Sequence, residues 1–130
     1  MEVLAPVGAK EQLIAAVRSG ADAVYLGTKD FNARKNADNF GDGELCDAIK
    51  YAHERGVKVY VALNTVITDS EITTAVNTVK SVAQAGADAV IVQDMAMYRI
   101  VKETCPDMPL HASTQMSVHN VQGAKELQRL

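Results

Sequence analysis

The stretch Val57-Lys58-Val59-Tyr60-Val61-Ala62-Leu63-Asn64 decides between two architectures. It is rich in β-branched residues and has the length of a strand. Successive side chains of a strand point to opposite faces. Val57, Val59, Val61 and Leu63 therefore share one face, and Lys58, Tyr60, Ala62 and Asn64 the other. A parallel sheet covered by helices on both sides needs both faces apolar. A closed barrel puts one uniform face under its helices and fills its lumen with the side chains of the other. The segment has the second pattern, which predicts a strand of a (β/α) barrel with Tyr60 and Asn64 turned inward. The same alternation turns Ile91 and Gln93 inward, together with His111 and Ser113. Glu2 and Lys58 then fall near the bottom of the lumen, where they are expected to pair with their charged groups within about 6 Å.

Working outward, further short strand-like runs flank it at Glu2–Ala5, Ala23–Gly27, Ala89–Gln93 and Leu110–Ser113. Between the runs, residues recur at the spacing of a buried helix stripe: Leu13, Ala16 and Val17; Leu45, Ala48, Ile49 and Ala52; Ile72, Ala75, Val76 and Val79; Met97, Ile100, Val101 and Thr104. A fifth helix is expected after Asn120, with Val121, Ala124 and Leu127. Thr68 and Glu71 form a capping box ahead of the third helix. Gly20, Gly56 and Gly86 each stand between a helix and the next strand, where a left-handed residue ends a helix at low cost. Ser19-Gly20-Ala21-Asp22-Ala23-Val24 returns as Ala85-Gly86-Ala87-Asp88-Ala89-Val90, so Asp22 and Asp88 are expected to hydrogen-bond within equivalent turns.

Strict strand–helix alternation means parallel strands with right-handed crossovers. A full barrel needs eight such units and about 250 residues. The 130 residues hold about four and a half units, so residues 1–130 are expected to form the N-terminal half of a TIM-type (β/α) barrel. A half barrel leaves two strand edges unpaired. They would be covered by a missing C-terminal half or by a second copy of the chain, and self-association is expected.

Net charge is −3 and no basic run exceeds two residues. This gives no electrostatic footprint for DNA or other nucleic acid, or for an anionic membrane surface, within the segment. No apolar stretch is long enough to span a bilayer. The start, Met1-Glu2-Val3-Leu4-Ala5-Pro6, lacks the pattern of a signal peptide. The only two cysteines, Cys46 and Cys105, lie far apart in predicted helices. A disulfide framework is therefore not expected, and a reducing cytoplasm is.

Ligands of parallel barrels bind at the C-terminal ends of the strands. Polar residues gather at these ends. The longest such loop runs from Thr28 to Phe40, a length usually associated with function. In it, Arg34 could fork onto a carboxylate or phosphate and Asn39 could fix a backbone amide. Phe31 and Phe40 could equally pin a solvated loop to the barrel. Asn64 is inward at the rim and is a candidate for binding. Asp94 is placed as the N-cap of the fourth helix, with a ligand-facing role second. The segment His111-Ala112-Ser113-Thr114-Gln115-Met116-Ser117 carries the remaining chemistry. His111 could serve as a general base or a metal ligand, or be merely hydrogen-bonded in the lumen. Ser113, Thr114 and Ser117 are hydroxyls outside any nucleophile-elbow motif. Gln115 can donate and accept, which suits recognition of an amide or a base. No phosphate-cradling glycine loop, H-E-x-x-H or paired C-x-x-C occurs, and no metal ligands are assigned.

These pieces resemble the N-terminal part of the collagenase-like peptidase family, peptidase family U32. The matching residues are Glu2 through Gly8, Gly20 through Gly27, Ala37-Asp38-Asn39-Phe40, Tyr51 through Val61, Asn64-Thr65, and Ser113-Thr114-Gln115 followed by Asn120. The resemblance implies a hydrolase acting on peptide bonds. His111 and Ser113 are then candidates for the catalytic residues, with Arg34, Asn39, Asn64, Asp94, Thr114, Gln115 and Asn120 contacting the substrate. Other members of the family resemble oxygen-independent hydroxylation factors that act on RNA bases or the ubiquinone ring and carry an iron–sulfur cluster. Tyr60 and Gln115 suit that alternative. The family's signature and cluster-ligand cysteines are expected beyond Leu130, and neither Cys46 nor Cys105 matches them. The resemblance therefore implies no cofactor in this segment, an iron–sulfur cluster only in a longer parent, and a peptide or RNA substrate for that parent. The segment alone is expected to be inactive.

Overall fold

The computed structural model describes residues 1–33 and 39–130. Among them, five parallel strands lie in one open sheet in chain order: β1 (Leu4–Pro6), β2 (Ala23–Gly27), β3 (Lys58–Leu63), β4 (Ala89–Val92) and β5 (Leu110–Ala112). The crossovers carry α1 (Lys10–Arg18), α2 (Asp42–His53), α3 (Ile72–Gln84) and α4 (Met95–Thr104), and α5 (Val121–Gln128) follows β5. This is half of a (β/α) barrel wall, as the alternation in β3 predicts.

Val57, Val59, Val61 and Leu63 enter the main core with Leu45, Ile49, Val79, Val82, Met97 and Val101 from the helices. A separate, smaller cluster forms on the opposite face, where buried Ala23, Tyr60 and Ala89 pack with Tyr25 and Ile91. Gly20, Gly56 and Gly86 adopt φ of +86°, +72° and +90° between helix and strand, the left-handed region that favours glycine.

The structure departs from the sequence expectations in two places, and it bears out the Thr68–Glu71 capping box on a short 3₁₀ turn. β1 begins two residues later than the apolar pattern suggests, because Val3 is taken up by the Asp22 turn. Its carbonyl accepts from the amides of Asp22 and Ala23, and its amide donates to Asp22 Oδ2 at 2.7 Å. Asp22 and Asp88 are structural, but they bond across strands rather than within their own turns. Just as Val3 donates to Asp22, Val59 N donates to Asp88 Oδ2 at 2.7 Å. Each aspartate thus ties its strand to the preceding one. Finally, the third helix opens with a 3₁₀ turn, Asp69–Glu71, under the Thr68–Glu71 box, where Thr68 N donates to Glu71 Oε2 at 2.8 Å.

The two outer strands are unpaired on one side. β3 is buried at five of its six positions, whereas His111 and Ala112 of β5 are exposed. α5 buries none of its residues, and Val121 on it is 68% exposed. No helix is long and apolar enough to cross a membrane among the described residues.

Candidate functional site

At the C-terminal ends of the strands, the inner face of the half barrel opens into a cavity of about 480 Å³. That volume lies in the range of small-molecule pockets. Its apolar wall comes from Leu4, Tyr25, Ala62 and Ile91, and its polar rim from Asn64, His111, Ser113, Thr114 and Gln115. Five residues singled out from the sequence therefore converge on one space. They converge because parallel strands end together and the chain leaves each of them at the same rim.

The others lie elsewhere. Asp94 caps α4, accepting from Ala96 N at 2.7 Å and from Met97 N at 3.4 Å, and it also receives Ile67 N. Asn120 caps α5 by accepting from Gly123 N at 2.9 Å. Both side chains are committed to orphan amides of a helix start. Asn39 lines a different cleft of about 610 Å³ between α1 and α2, on the helical side of the sheet. Arg34 lies outside the described residues.

Within the cavity the roles separate further. Asn64 Oδ1 accepts from Ala33 N at 3.2 Å, so this amide braces the long loop while it faces the pocket. Ser113 is 6% exposed, and its hydroxyl accepts from Gln115 N at 3.2 Å. Among the described residues no hydrogen bond joins Ser113 to His111. His111 instead meets the Tyr60 ring in a T-shaped pair, with centroids 4.7 Å apart and planes at 80°. The arrangement is a shaped, partly polar pocket without an assembled nucleophile and base.

Below the pocket, Glu2 and Lys58 pair at 3.4 Å, as the inward face of β3 predicts. Both are substantially exposed, so the pair contributes little stability. The tighter contact is Tyr60 OH donating to Glu2 Oε1 at 2.7 Å. Burial pushes the Tyr60 phenol up to about 12, with further upward pushes from the hydrogen bond to Glu2, the Glu2 charge and the Asp88 charge. Tyr60 stays a neutral donor throughout the neutral range.

Sequence reasoning missed Asn32. It is 4% exposed, and its Nδ2 donates to Asn39 Oδ1 at 2.7 Å. The bond clasps the two described flanks of the loop after β2, while Phe40 is buried in the core. A Cβ at Gly27 would lie 1.7 Å from Asn32 Nδ2. Glycine ending a strand is the signal that marks such a close approach.

Cys46 is exposed on α2 and Cys105 ends α4 against the outer core. Among the described residues no group of three His, Cys, Asp or Glu side chains could hold a metal ion. These residues do not by themselves make up a cluster site.

The sequence is 40% identical over 129 residues to a 23S rRNA 5-hydroxycytidine synthase of Escherichia coli, covering 98% of this chain and 19% of that protein. It is 34% identical over 125 residues to a collagenase of Porphyromonas gingivalis, covering 95% of this chain and 30% of that protein. The chain thus spans less than a third of the length of either relative. A solved U32 peptidase superposes with a TM-score of 0.75 at 16% identity, covering 99% of this chain and 55% of the other, which supports the half-barrel fold. The profile of peptidase family U32 matches residues 8–130, and the chain belongs to that family.

Proposed function

We propose that the chain forms one wall of the base-binding pocket of an enzyme that hydroxylates RNA. The observation carrying this reading is the rim cavity itself. It sets flat and aliphatic surfaces, Tyr25 and Ile91, beside the hydrogen-bonding groups of Asn64, His111 and Gln115. A planar base needs that combination: a face to lie against and an edge to be read. An acyl-transfer enzyme needs a nucleophile in contact with a base, and Ser113 and His111 lack that contact. The 40% identity to a relative named for cytidine hydroxylation supports the same choice.

In this role Asn64 and Gln115 orient the edge of an extruded pyrimidine, and His111 donates to or accepts from it. The segment's own charge is −3, so it reads the base rather than the phosphates. Backbone contacts and the redox chemistry are assigned to the rest of a longer protein. The test is mass spectrometry of nucleosides from ribosomal and transfer RNA of a host lacking the gene. Loss of a nucleoside one oxygen heavier than cytidine or uridine is expected, with return on complementation by the wild type and not by the His111→Ala, Gln115→Ala double variant. An unchanged nucleoside profile would overturn the reading.

Peptide hydrolysis is the second reading, favoured by the similarity to a protein named collagenase and by Ser113 and His111 sharing the rim. Cleavage of gelatin by the protein, abolished by Ser113→Ala, would establish it in place of the first.

A further inference from the structure

We infer that Tyr60 is a positioning residue, which sets the orientation of the His111 imidazole toward the substrate and is itself set by Glu2. The inference deepens the base-pocket reading and rests on it for the identity of the substrate.

Tyr60 and His111 stand on strands separated by β4, yet their rings meet at 4.7 Å. The contact exists because Tyr60's register partner on β4 is Ala89. A larger side chain there would fill the path that the phenol ring takes across the sheet. His111 pairs in register with Ile91, the next inward residue of β4. The histidine is thus bordered by Ile91 beside it and by the Tyr60 ring.

His111 lies on the outermost strand, with no further strand beside it in this sheet. Among the described residues no hydrogen bond reaches either of its imidazole nitrogens. Its ring orientation therefore depends on the T-shaped contact, and both nitrogens remain available to a ligand. Tyr60 can act as a stop only if it is itself fixed. Glu2 fixes it through the 2.7 Å hydrogen bond at its hydroxyl, and Lys58 lies 3.4 Å from the other carboxylate oxygen. The chain of contacts runs from a carboxylate at the bottom of the lumen to an imidazole lining the pocket. A tyrosine that merely filled space would stabilise the sheet without affecting the histidine's orientation.

The test follows the imidazole directly. The ring protons of His111 and His119 are recorded by NMR in the wild type and in Tyr60→Leu, Tyr60→Phe and Glu2→Gln, with cytidine as the probe ligand. His119, whose Nδ1 lies 2.9 Å from Ser117 O, serves as the internal control. Tyr60→Leu is expected to move the His111 signals and leave those of His119 in place. It should weaken cytidine binding about tenfold, as His111→Ala does, with no further loss in the double variant because the two act through one contact. Glu2→Gln and Tyr60→Phe keep the ring but weaken or remove its anchor. They should broaden or shift the His111 signals and cost about threefold in binding. Unmoved His111 signals in folded Tyr60→Leu, or additive losses in the double variant, would overturn the inference. If Tyr60→Leu does not fold, unmoved signals in both conservative variants would do the same. A wild-type chain that fails to bind cytidine would sink the base-pocket reading alone, and the His111 signals would still decide the role of Tyr60.

Discussion

β3 and β5 have the same inward–outward alternation and very different surroundings. β3 is paired on both sides, and five of its six residues are buried. β5 is paired only to β4, and two of its three residues are exposed. The contrast shows that alternation sets which way a side chain points, while the number of neighbouring strands sets how deeply it is buried. Most of the candidate chemistry, apart from buried Ser113 and from Asn64 after β3, sits on the poorly buried side. His111 to Gln115 all follow from the edge strand, whereas β3 supplies the rigid floor through Tyr60.

The largest test of this contrast is truncation in the core. Leu63→Ala on β3 should cost about 2–5 kcal/mol, because the site is closed on all sides and leaves a cavity. Leu110→Ala on β5 should cost less than half of that, and urea titration of both variants would sharpen or break the distinction. The next effect is alkaline. Tyr60 has its folded value raised from 10.0 to about 12. Its contribution is fully present below pH 10 and is lost as pH rises through 12. Denaturant melts across that range should show the loss, and Tyr60→Phe should remove this part of the slope.

The repeated aspartates allow a matched comparison between centre and edge. Asp88 holds the amide of Val59 on the central strand and also contacts His53 Nε2 at 2.8 Å, whereas the Asp22 carboxylate holds the amide of Val3 ahead of the edge strand. Asp88→Ala should cost about 1–3 kcal/mol and Asp22→Ala less, as read by thermal melting. The smallest effect concerns the helix caps. Asp94→Ala should cost about 1 kcal/mol of global stability, because α4 buries Met97, Ile100 and Val101. Asn120→Ala should leave the global melt in place and speed amide exchange only in α5, which buries nothing.

Much of the fold was legible from local pattern. The strand and helix order, the inward set of β3 and the Glu2–Lys58 pairing all follow from period-2 and period-3.6 spacing. The site was legible only as a pool of polar residues at strand ends. Asn64, His111, Ser113, Thr114 and Gln115 share the cavity, while Asp94 and Asn120 are spent on helix amides. Asp94 was already marked by its place before an apolar helix. Asn120 carries the same signal, a polar residue ahead of an apolar helix, although the resemblance implies a substrate contact for it. Asn32 escaped notice because its partner, Asn39, stands on the far flank of a long loop.

The order of strands and helices, their handed turns at Gly20, Gly56 and Gly86, and the division of β3 into two faces were determined by the sequence alone. Each depends on dihedral preferences and on side-chain direction within a few residues. The meeting of Tyr60 with His111 over Ala89, the anchoring of Tyr60 by Glu2 and the tie of Val59 to Asp88 were decided by tertiary structure. Those contacts join residues that lie 29 to 58 positions apart, and only the register of neighbouring strands brings them together.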